Sequence, residues 1–192
     1  MPTNSNAFDE QSAPVGFVEP SENLPLDYFS GMEIEEILNT LAAAGIKMRL
    51  CEQGIINKNT KFTYWYVEHT VHSQLNGCRV CANLTFSIPI YMINNKIIKI
   101  DGLHATCTLS KNDATTKETE NKTFTARLSG MANFPRGLPI HVVETMINIY
   151  YATEKLKETN ADYDKILSLL ESEFQVLAET STYVPIDEDY LL

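Results

Sequence analysis

Four residues with metal-binding side chains lie within thirteen positions of the chain: His69, His72, Cys78 and Cys81. Thiolates and imidazoles are preferred zinc ligands, and a structural zinc site holds four of them at about 2.0–2.3 Å from one ion. The same stretch contains the dipeptide Asn76-Gly77 between runs of alternating residues, which is the strongest short signal for a β-hairpin. The stretch therefore predicts either a metal site or a hairpin.

The hairpin pattern decides against the metal site. A two-residue loop at Asn76-Gly77 places His72 opposite Cys81 on the polar face of the two strands. His69 and Cys78 then lie on the other, apolar face, because successive strand residues point to opposite sides. Four side chains divided between two faces cannot converge on one ion, so we expect no metal and no cofactor.

Two further arrangements could support catalysis. His72 and Cys81 form a Cys/His pair, but Glu68 lies about 13 Å along the strand from His72, too far to orient it. The segment 104–106 has the H-x-T form of two-histidine phosphoesterases, which pair two such motifs, and no other histidine here is followed by x-T. We therefore expect a protein that is not an enzyme, with a hydrolase using His104 or the His72/Cys81 pair as an alternative.

The polar face of the hairpin is the best candidate for a binding surface. Aromatic rings beside cations on a sheet can stack nucleic-acid bases and hold phosphates. The alternative is a solvent-exposed face without a binding role, on which tyrosine and threonine occur only because they favour strands. The candidate binding residues are five on the hairpin and one in the loop "FPRGLP": Tyr64, Tyr66, His72, Arg79, Asn83 and Arg136.

Charge is segregated along the chain. The whole protein has a net charge of −10, but residues 46–140 carry twelve basic and six acidic side chains, a net charge of +6. A basic module between acidic ends can bind an anionic partner or be held by its own ends. The terminal sequence "IDEDYLL" resembles the acidic tails of phage-type single-stranded DNA-binding proteins, which implies a competitor for a nucleic-acid site.

Periodicity predicts an α+β fold. A capping box at Ser30 and Glu33 starts a helix over 31–44, and the period then changes to two until Gly130. After the first hairpin, a second one pairs the run "KIIKIDGLHATCTLSK" with "TFTARLSGM" across a polar loop. Two C-terminal helices follow, one from Pro139 to about residue 158 and one capped by Asn160. We expect a four- to five-stranded antiparallel sheet with the helices on its apolar face.

The ends of the chain differ from its middle. Residues 1–29 and 179–192 read as flexible acidic segments around a single domain at 30–178. Four cysteines and no secretion signal indicate reduced thiols in the cytoplasm, or in the host cytoplasm if the protein is viral. No apolar run approaches the roughly 20 residues of a membrane span.

These features predict a non-enzymatic binding or assembly protein, such as a viral or phage accessory or structural protein. Its expected partner is another protein or a second copy of itself, with a homo-oligomer as one outcome. The alternative is a single-stranded nucleic-acid-binding or annealing protein whose acidic C-terminal tail is autoinhibitory.

Overall fold

The protein has an α+β fold in a computed structural model that describes residues 31–55, 60–75, 77–94, 96–129 and 137–182. The described residues contain the strands β1 Gly31–Met32, β2 Arg49–Ile55, β3 Thr60–Leu75, β4 Cys78–Ile93, β5 Lys96–Ile100, β6 Gly102–Asp113, β7 Thr119–Ser129 and β8 Leu138–Pro139. The helices are α1 Ile34–Ala43, α2 Ile140–Glu154 and α3 Tyr163–Ser181, with a 3₁₀ turn at Lys155–Lys157. The predicted fold class, one N-terminal helix, an antiparallel sheet and two C-terminal helices, is confirmed.

The main sheet is antiparallel, with strand order β2-β3-β4-β6-β7, and β5 pairs with the end of β4. The strands β1 and β8 form a separate two-stranded sheet. The hairpin of β3 and β4 has the predicted register along all 16 residue pairs, from Leu75 opposite Cys78 to Thr60 opposite Ile93. A two-residue loop thus sets which side chains share a face over the full length of both strands.

The second hairpin differs from its predicted form at both ends. The run predicted as one strand is divided into β5 and β6, and both pair with the same side of β4. The division falls at Asp101, whose backbone N–H donates to Pro89 O at 2.7 Å, and at Gly102, which has a φ of +96°. The loop is also shorter than predicted, because Asp113 Oδ1 accepts the backbone N–H of Thr115 at 2.8 Å and closes a tight turn.

Two helices begin at other capping residues than the sequence predicted. Helix α1 begins after Glu33, which makes no side-chain capping bond, and Ser30 lies outside the described residues. Helix α3 is capped by Asp162 rather than Asn160, because Asp162 Oδ1 accepts the N–H of Lys165 at 3.2 Å. A capping side chain must precede the first helical residue directly, and Asn160 lies too early. No helix within the described ranges has the length and apolar character needed to cross a membrane.

The core lies between the sheet and the three helices. Alternate residues of β4 and β6 are fully buried on the helix side, and the hydrophobic stripes of the helices pack on them. The ring of Phe174 in α3 stacks on Phe124 of β7 at 5.5 Å between centroids. All three helices therefore use one face of the sheet, which leaves the opposite face to present polar groups.

Candidate ligand-binding groove

The polar face of the sheet is the face opposite the helices. Its residues are hydroxyl-rich, and neighbours on adjacent strands hydrogen-bond to each other. Thr70 Oγ1 donates to Asn83 Oδ1 at 2.7 Å, and the hydroxyls of Thr108 and Thr123 lie 3.3 Å apart. The polar face so defined contains Arg49, Tyr64, Tyr66, Glu68, Thr70, His72, Arg79, Cys81, Asn83, Thr85, Ser87, His104, Thr106, Thr108, Thr123, Thr125 and Arg127.

One cross-strand row of the polar face joins all five strands. Tyr66 on β3 has Arg49 of β2 on one side and Ser87 of β4 on the other. Ser87 is opposite His104 of β6, and His104 is opposite Arg127 of β7. Because adjacent strands lie about 4.8 Å apart, this row spans about 19 Å with an arginine at each end.

A groove of about 740 Å³ lies along four residues of this row, from Tyr66 to Arg127, and Arg49 lies outside its lining. Its walls combine aromatic, hydroxyl and charged side chains: Phe62, Tyr64, Tyr66, Thr85, Ser87, Pro89, Asp101, Leu103, His104, Thr106, Arg127, Leu128 and Ser129. The division between β5 and β6 falls at the groove, since Asp101 and Pro89 are the residues whose backbones bond there. Bulged strands re-aim their side chains, and here the break turns Asp101 toward the groove.

The β3 side of the groove is aromatic. The rings of Tyr64 and Tyr66 meet edge to face with centroids 5.9 Å apart. Farther along, Phe62 packs on Tyr91 at 5.3 Å, and burial, followed by the charge of Asp101, raises the pKa of the Tyr91 hydroxyl. The guanidinium of Arg49 lies 5.4 Å from the centre of the Tyr66 ring, which is within cation–π range. The groove thus offers flat rings beside fixed positive charge.

The candidate binding residues predicted from the sequence fall into two groups. Tyr64 and Tyr66 line the groove, and Asn83 lies in the middle of the polar face. His72 and Arg79 lie about 20 Å and about 27 Å from Tyr66 along the strands, at a shallow depression of about 390 Å³ near the hairpin turn. The predicted residues therefore do not form one site. The sixth candidate, Arg136, lies outside the described residues.

The predicted set omitted most of the groove lining, including Ser87, His104 as a binding group, and Arg127. The missing information was the pairing of β4 with β6, which brings two hairpins together over a long sequence separation. The alternation in "TFTARLSGM" places Ala126 and Leu128 on the buried face of the strand and Arg127 on the other face. Arg127 could have been identified from this alternation.

The basic side chains of the central block are divided between the two faces. Lys111 Nζ lies 4.9 Å from the ring centre of Tyr163 in α3, and Lys122 Nζ lies 3.9 Å from Glu171 on the same helix. Both lysines are therefore on the helix side of the sheet. Arginines supply positive charge to the polar face, and an arginine fork binds phosphate in a bidentate manner.

His69 is part of a polar cluster on the helix side of the sheet. Its Nε2 lies 2.8 Å from Glu154 Oε2, and its ring is 4.7 Å from that of Tyr150. Glu154 also contacts Lys157 Nζ at 2.8 Å through its other oxygen. Burial alone would raise the pKa of Glu154, but Lys157 and His69 together outweigh burial and hold this pKa below its usual 4.5. The histidine is a satisfied residue at the edge of the core.

Replacing Glu154 by glutamine is expected to lower the free energy of unfolding by about 1–2 kcal/mol at neutral pH. A carboxyl group whose pKa is lowered by folding stabilises the protein above its unfolded pKa, and this contribution disappears as the pH falls through the folded value. The difference between wild type and Glu154→Gln should therefore shrink below about pH 4.5 in urea titrations. Glu144→Gln, at an exposed position of the same helix, is the matched control and should change little. A pH-independent difference would contradict this role.

The cysteines also divide between the faces. Cys78 and Cys107 are buried on the helix side, and burial raises the pKa of the Cys107 thiol to about 12. Cys51 and Cys81 are partly exposed on the polar face. Each of the four is a free thiol.

Histidine, cysteine and acidic side chains form no metal-binding group of three or more within the described ranges. Comparison of the chain with protein-family models, curated proteins and solved structures gives no match.

Proposed function

We propose that the protein is a non-enzymatic binding protein and that its groove binds single-stranded nucleic acid. The observation that carries this proposal is the row of Arg49, Tyr66, Ser87, His104 and Arg127 across five strands. It sets an aromatic ring and hydrogen-bonding groups between two arginines. A nucleotide has the complementary chemistry, because it combines a flat base with a phosphate and sugar hydroxyls.

The aromatic rings supply a stacking platform. Tyr64 and Tyr66 are neighbours on the same face of β3, and both are partly exposed in the groove. Each stacked base contributes about 1–3 kcal/mol, largely without regard to its identity. Arg49 beside Tyr66 adds a cation close to the position of a stacked base. We therefore expect binding that tolerates changes of sequence.

The phosphates are expected at the arginine ends of the row. Arg127 is exposed beside His104, and Arg49 is exposed at the opposite edge of the sheet. Phosphate contacts release counterions, so the affinity must fall as the salt concentration rises. The groove volume of about 740 Å³ is within the range of about 300–1,000 Å³ that is usual for ligand sites.

The test is fluorescence anisotropy of labelled single-stranded DNA and RNA oligonucleotides at low and moderate salt. Tyr66→Ala should weaken binding by about tenfold or more, which is the loss of one stacked base. Arg127→Gln should weaken binding of all sequences and reduce the salt slope by about one. Absence of binding to either nucleic acid at low salt would overturn the proposal.

Two matched controls lie on the helix side of the molecule. Lys122→Gln removes the same charge as Arg127→Gln, and Tyr151→Ala removes a tyrosine that is exposed on α2. Both variants should bind like the wild type. If Lys122→Gln weakened binding as much as Arg127→Gln, the attraction would come from overall charge and not from the groove.

The acidic C-terminal residues give the experiment another arm. Helix α3 runs in the same direction as β7, since Glu171 lies near Lys122 and Phe174 stacks on Phe124 farther along. The helix therefore ends near the same end of the sheet as Arg127 of β7, although Arg127 lies on the opposite face. If the acidic residues that follow Thr182 compete with nucleic acid, a chain ending at Thr182 should bind more tightly. A cut after Ala178 is unsuitable, because it removes the buried Thr180.

Hydrolysis is the second candidate function, because Ser87 is directly opposite His104 and Asp101 lines the same groove. Serine, histidine and aspartate are the residue types of an acyl-transfer triad. No hydrogen bond joins Ser87 to His104 in the part of the chain that the structure describes, which favours binding over catalysis. Cleavage of an activated ester such as p-nitrophenyl acetate distinguishes the two functions. An acyl hydrolase would cleave the ester, and His104→Ala would abolish that cleavage.

A further inference from the structure

One long strand edge of the main sheet has no strand neighbour among the described residues. Strand β3 is 16 residues long, but β2 pairs only with its first half, from Lys61 to Tyr66. Within the described ranges, residues 67–75 of β3 pair with β4 on one side and with no strand on the other, although the 3₁₀ turn Lys155–Lys157 also contacts β3. A free edge presents unpaired backbone groups on which another strand can add.

Two other edges of the sheet, those of β2 and β7, are protected in the usual ways. Strand β2 is short, and its register shifts between Glu52 and Gly54, which marks a bulge. Strand β7 carries Lys122 and Arg127 and has α3 packed along it. Natural proteins use short strands, bulges, charges and covering helices against unwanted pairing. Residues 67–75 contain no proline, lysine or arginine, and their register with β4 is unbroken.

The direction of the free backbone groups follows from the hairpin. In a two-residue hairpin the residues beside the loop, here Leu75 and Cys78, form a hydrogen-bonded pair, and such pairs alternate along the strands. Residues with odd numbers in 67–75 therefore bond to β4. The outward N–H and C=O groups belong to Glu68, Thr70, His72 and Gln74, and all four residues are exposed.

We propose that this edge pairs in antiparallel fashion with the same edge of a second copy of the chain, around Val71. In that register Val71 faces its counterpart, Thr70 faces His72 of the other copy, and Glu68 faces Gln74. All nine residues of each edge are used, and pairing stops next to Tyr66, where β2 already begins. Four outward-facing pairs would exchange about eight backbone hydrogen bonds.

Other even registers fit less well. Placing Thr70 opposite Thr70 would bring Gln74 against Tyr66, whose outward side Arg49 of β2 occupies. Moving the centre to His72 would bring Glu68 against the hairpin loop at residue 76. The register around Val71 also opposes no like charges, since the carboxylate of Glu68 meets a neutral amide. The nine-residue edge can pair with an identical edge along its whole length, and this register brings no like charges together. We therefore assign the edge to a second copy of the chain.

The resulting dimer would have one continuous antiparallel sheet through both copies. The two polar faces would lie side by side, and each groove would remain at a distance from the new contact, because the groove is on the other half of β3. The proposal does not depend on what the groove binds.

The test is sedimentation velocity of the full chain over about 1–100 μM. We expect a reversible dimer of twice the 21.6 kDa chain mass. His72→Pro removes an outward N–H but no bond to β4, because proline is tolerated on the free side of an edge strand. It should weaken dimerisation at least tenfold, whereas His72→Ala, which keeps the N–H, should not. A wild-type chain that stays monomeric, or a dimer unaffected by His72→Pro, would overturn the proposal.

A second pair of variants tests the register and does not alter the backbone. Gln74→Glu sets two carboxylates opposite each other at both ends of the pairing, and Gln74→Lys sets an ammonium opposite Glu68. The first should weaken the dimer several-fold and the second should tighten it. Equal effects of the two substitutions would contradict the register around Val71. Nucleic-acid binding by the same variants should be unchanged, which separates this proposal from that for the groove.

Discussion

Phe86→Ala is expected to lower the free energy of unfolding by about 3–5 kcal/mol. Phe86 is fully buried on the central strand β4, with Val67 and Ala105 as its cross-strand neighbours. Truncating its ring removes apolar contacts and leaves a cavity that the strands on both sides cannot fill by moving. Urea denaturation followed by circular dichroism measures the loss.

The control for this substitution is Tyr151→Ala, which truncates an aromatic ring that is 48 % exposed. Surface substitutions usually change stability by no more than about 0.5 kcal/mol. If Phe86→Ala cost less than about 1 kcal/mol, the contact between sheet and helices would be loosely packed. The core around Phe86 supports the groove directly, because the neighbouring residue Ser87 points into it.

The hairpin of β3 and β4 was predictable from the sequence in full detail. The dipeptide Asn76-Gly77 fixes the turn, and the strict alternation on both sides fixes which residues face the core. That one local signal correctly placed His69 and Cys78 on one face of the hairpin and His72 and Cys81 on the other. It also identified Tyr64 and Tyr66 as members of one face, on which the groove is found.

The pairing of β4 with β6 was not predictable in the same way. Ser87 and His104 are joined through a long stretch that includes β5, and no turn of fixed length sets their register. The alternation of β6 in the sequence sets which of its residues share a face but not which strands lie beside it. The groove therefore emerged only when Tyr66 and Arg127, on separate hairpins, were brought into one row. The strand break at Gly102 was missed for a related reason, because β5 and β6 follow each other with a single residue between them.

The distribution of charge was predictable along the chain but not in space. Because side chains alternate along β6 and β7, Lys111 and Lys122 lie on the helix side of the sheet. There they contact Tyr163 and Glu171, respectively. The positive charge near the groove comes instead from Arg49 and Arg127. The charge of a sheet face thus depends on which basic side chains point to that face. The net charge of the whole segment is a poorer guide.

Gly137→Ala is expected to cost about 3 kcal/mol or more, because two penalties act at one position. Gly137 has a φ of +143°, a backbone conformation that side chains disfavour. A Cβ atom there would lie 1.9 Å from the carbonyl oxygen of Met32, in the pair of strands β1 and β8. That pair ties the start of α1 to the start of α2, so the substitution should also loosen both helices.

The matched control is Gly77→Ala, which has a φ of +80° and no atom within 4 Å of the added Cβ. It carries only the conformational penalty, about 1–2 kcal/mol. The difference between the two variants in urea denaturation therefore measures the contact with Met32. Equal losses would mean that β1 and β8 separate at little cost, and that the chain before α1 is not held by this pairing. A larger loss of stability for Gly137→Ala would show that the β1–β8 contact stabilises the fold. If the groove affinity of the folded fraction is also unchanged, the contact has no role in binding.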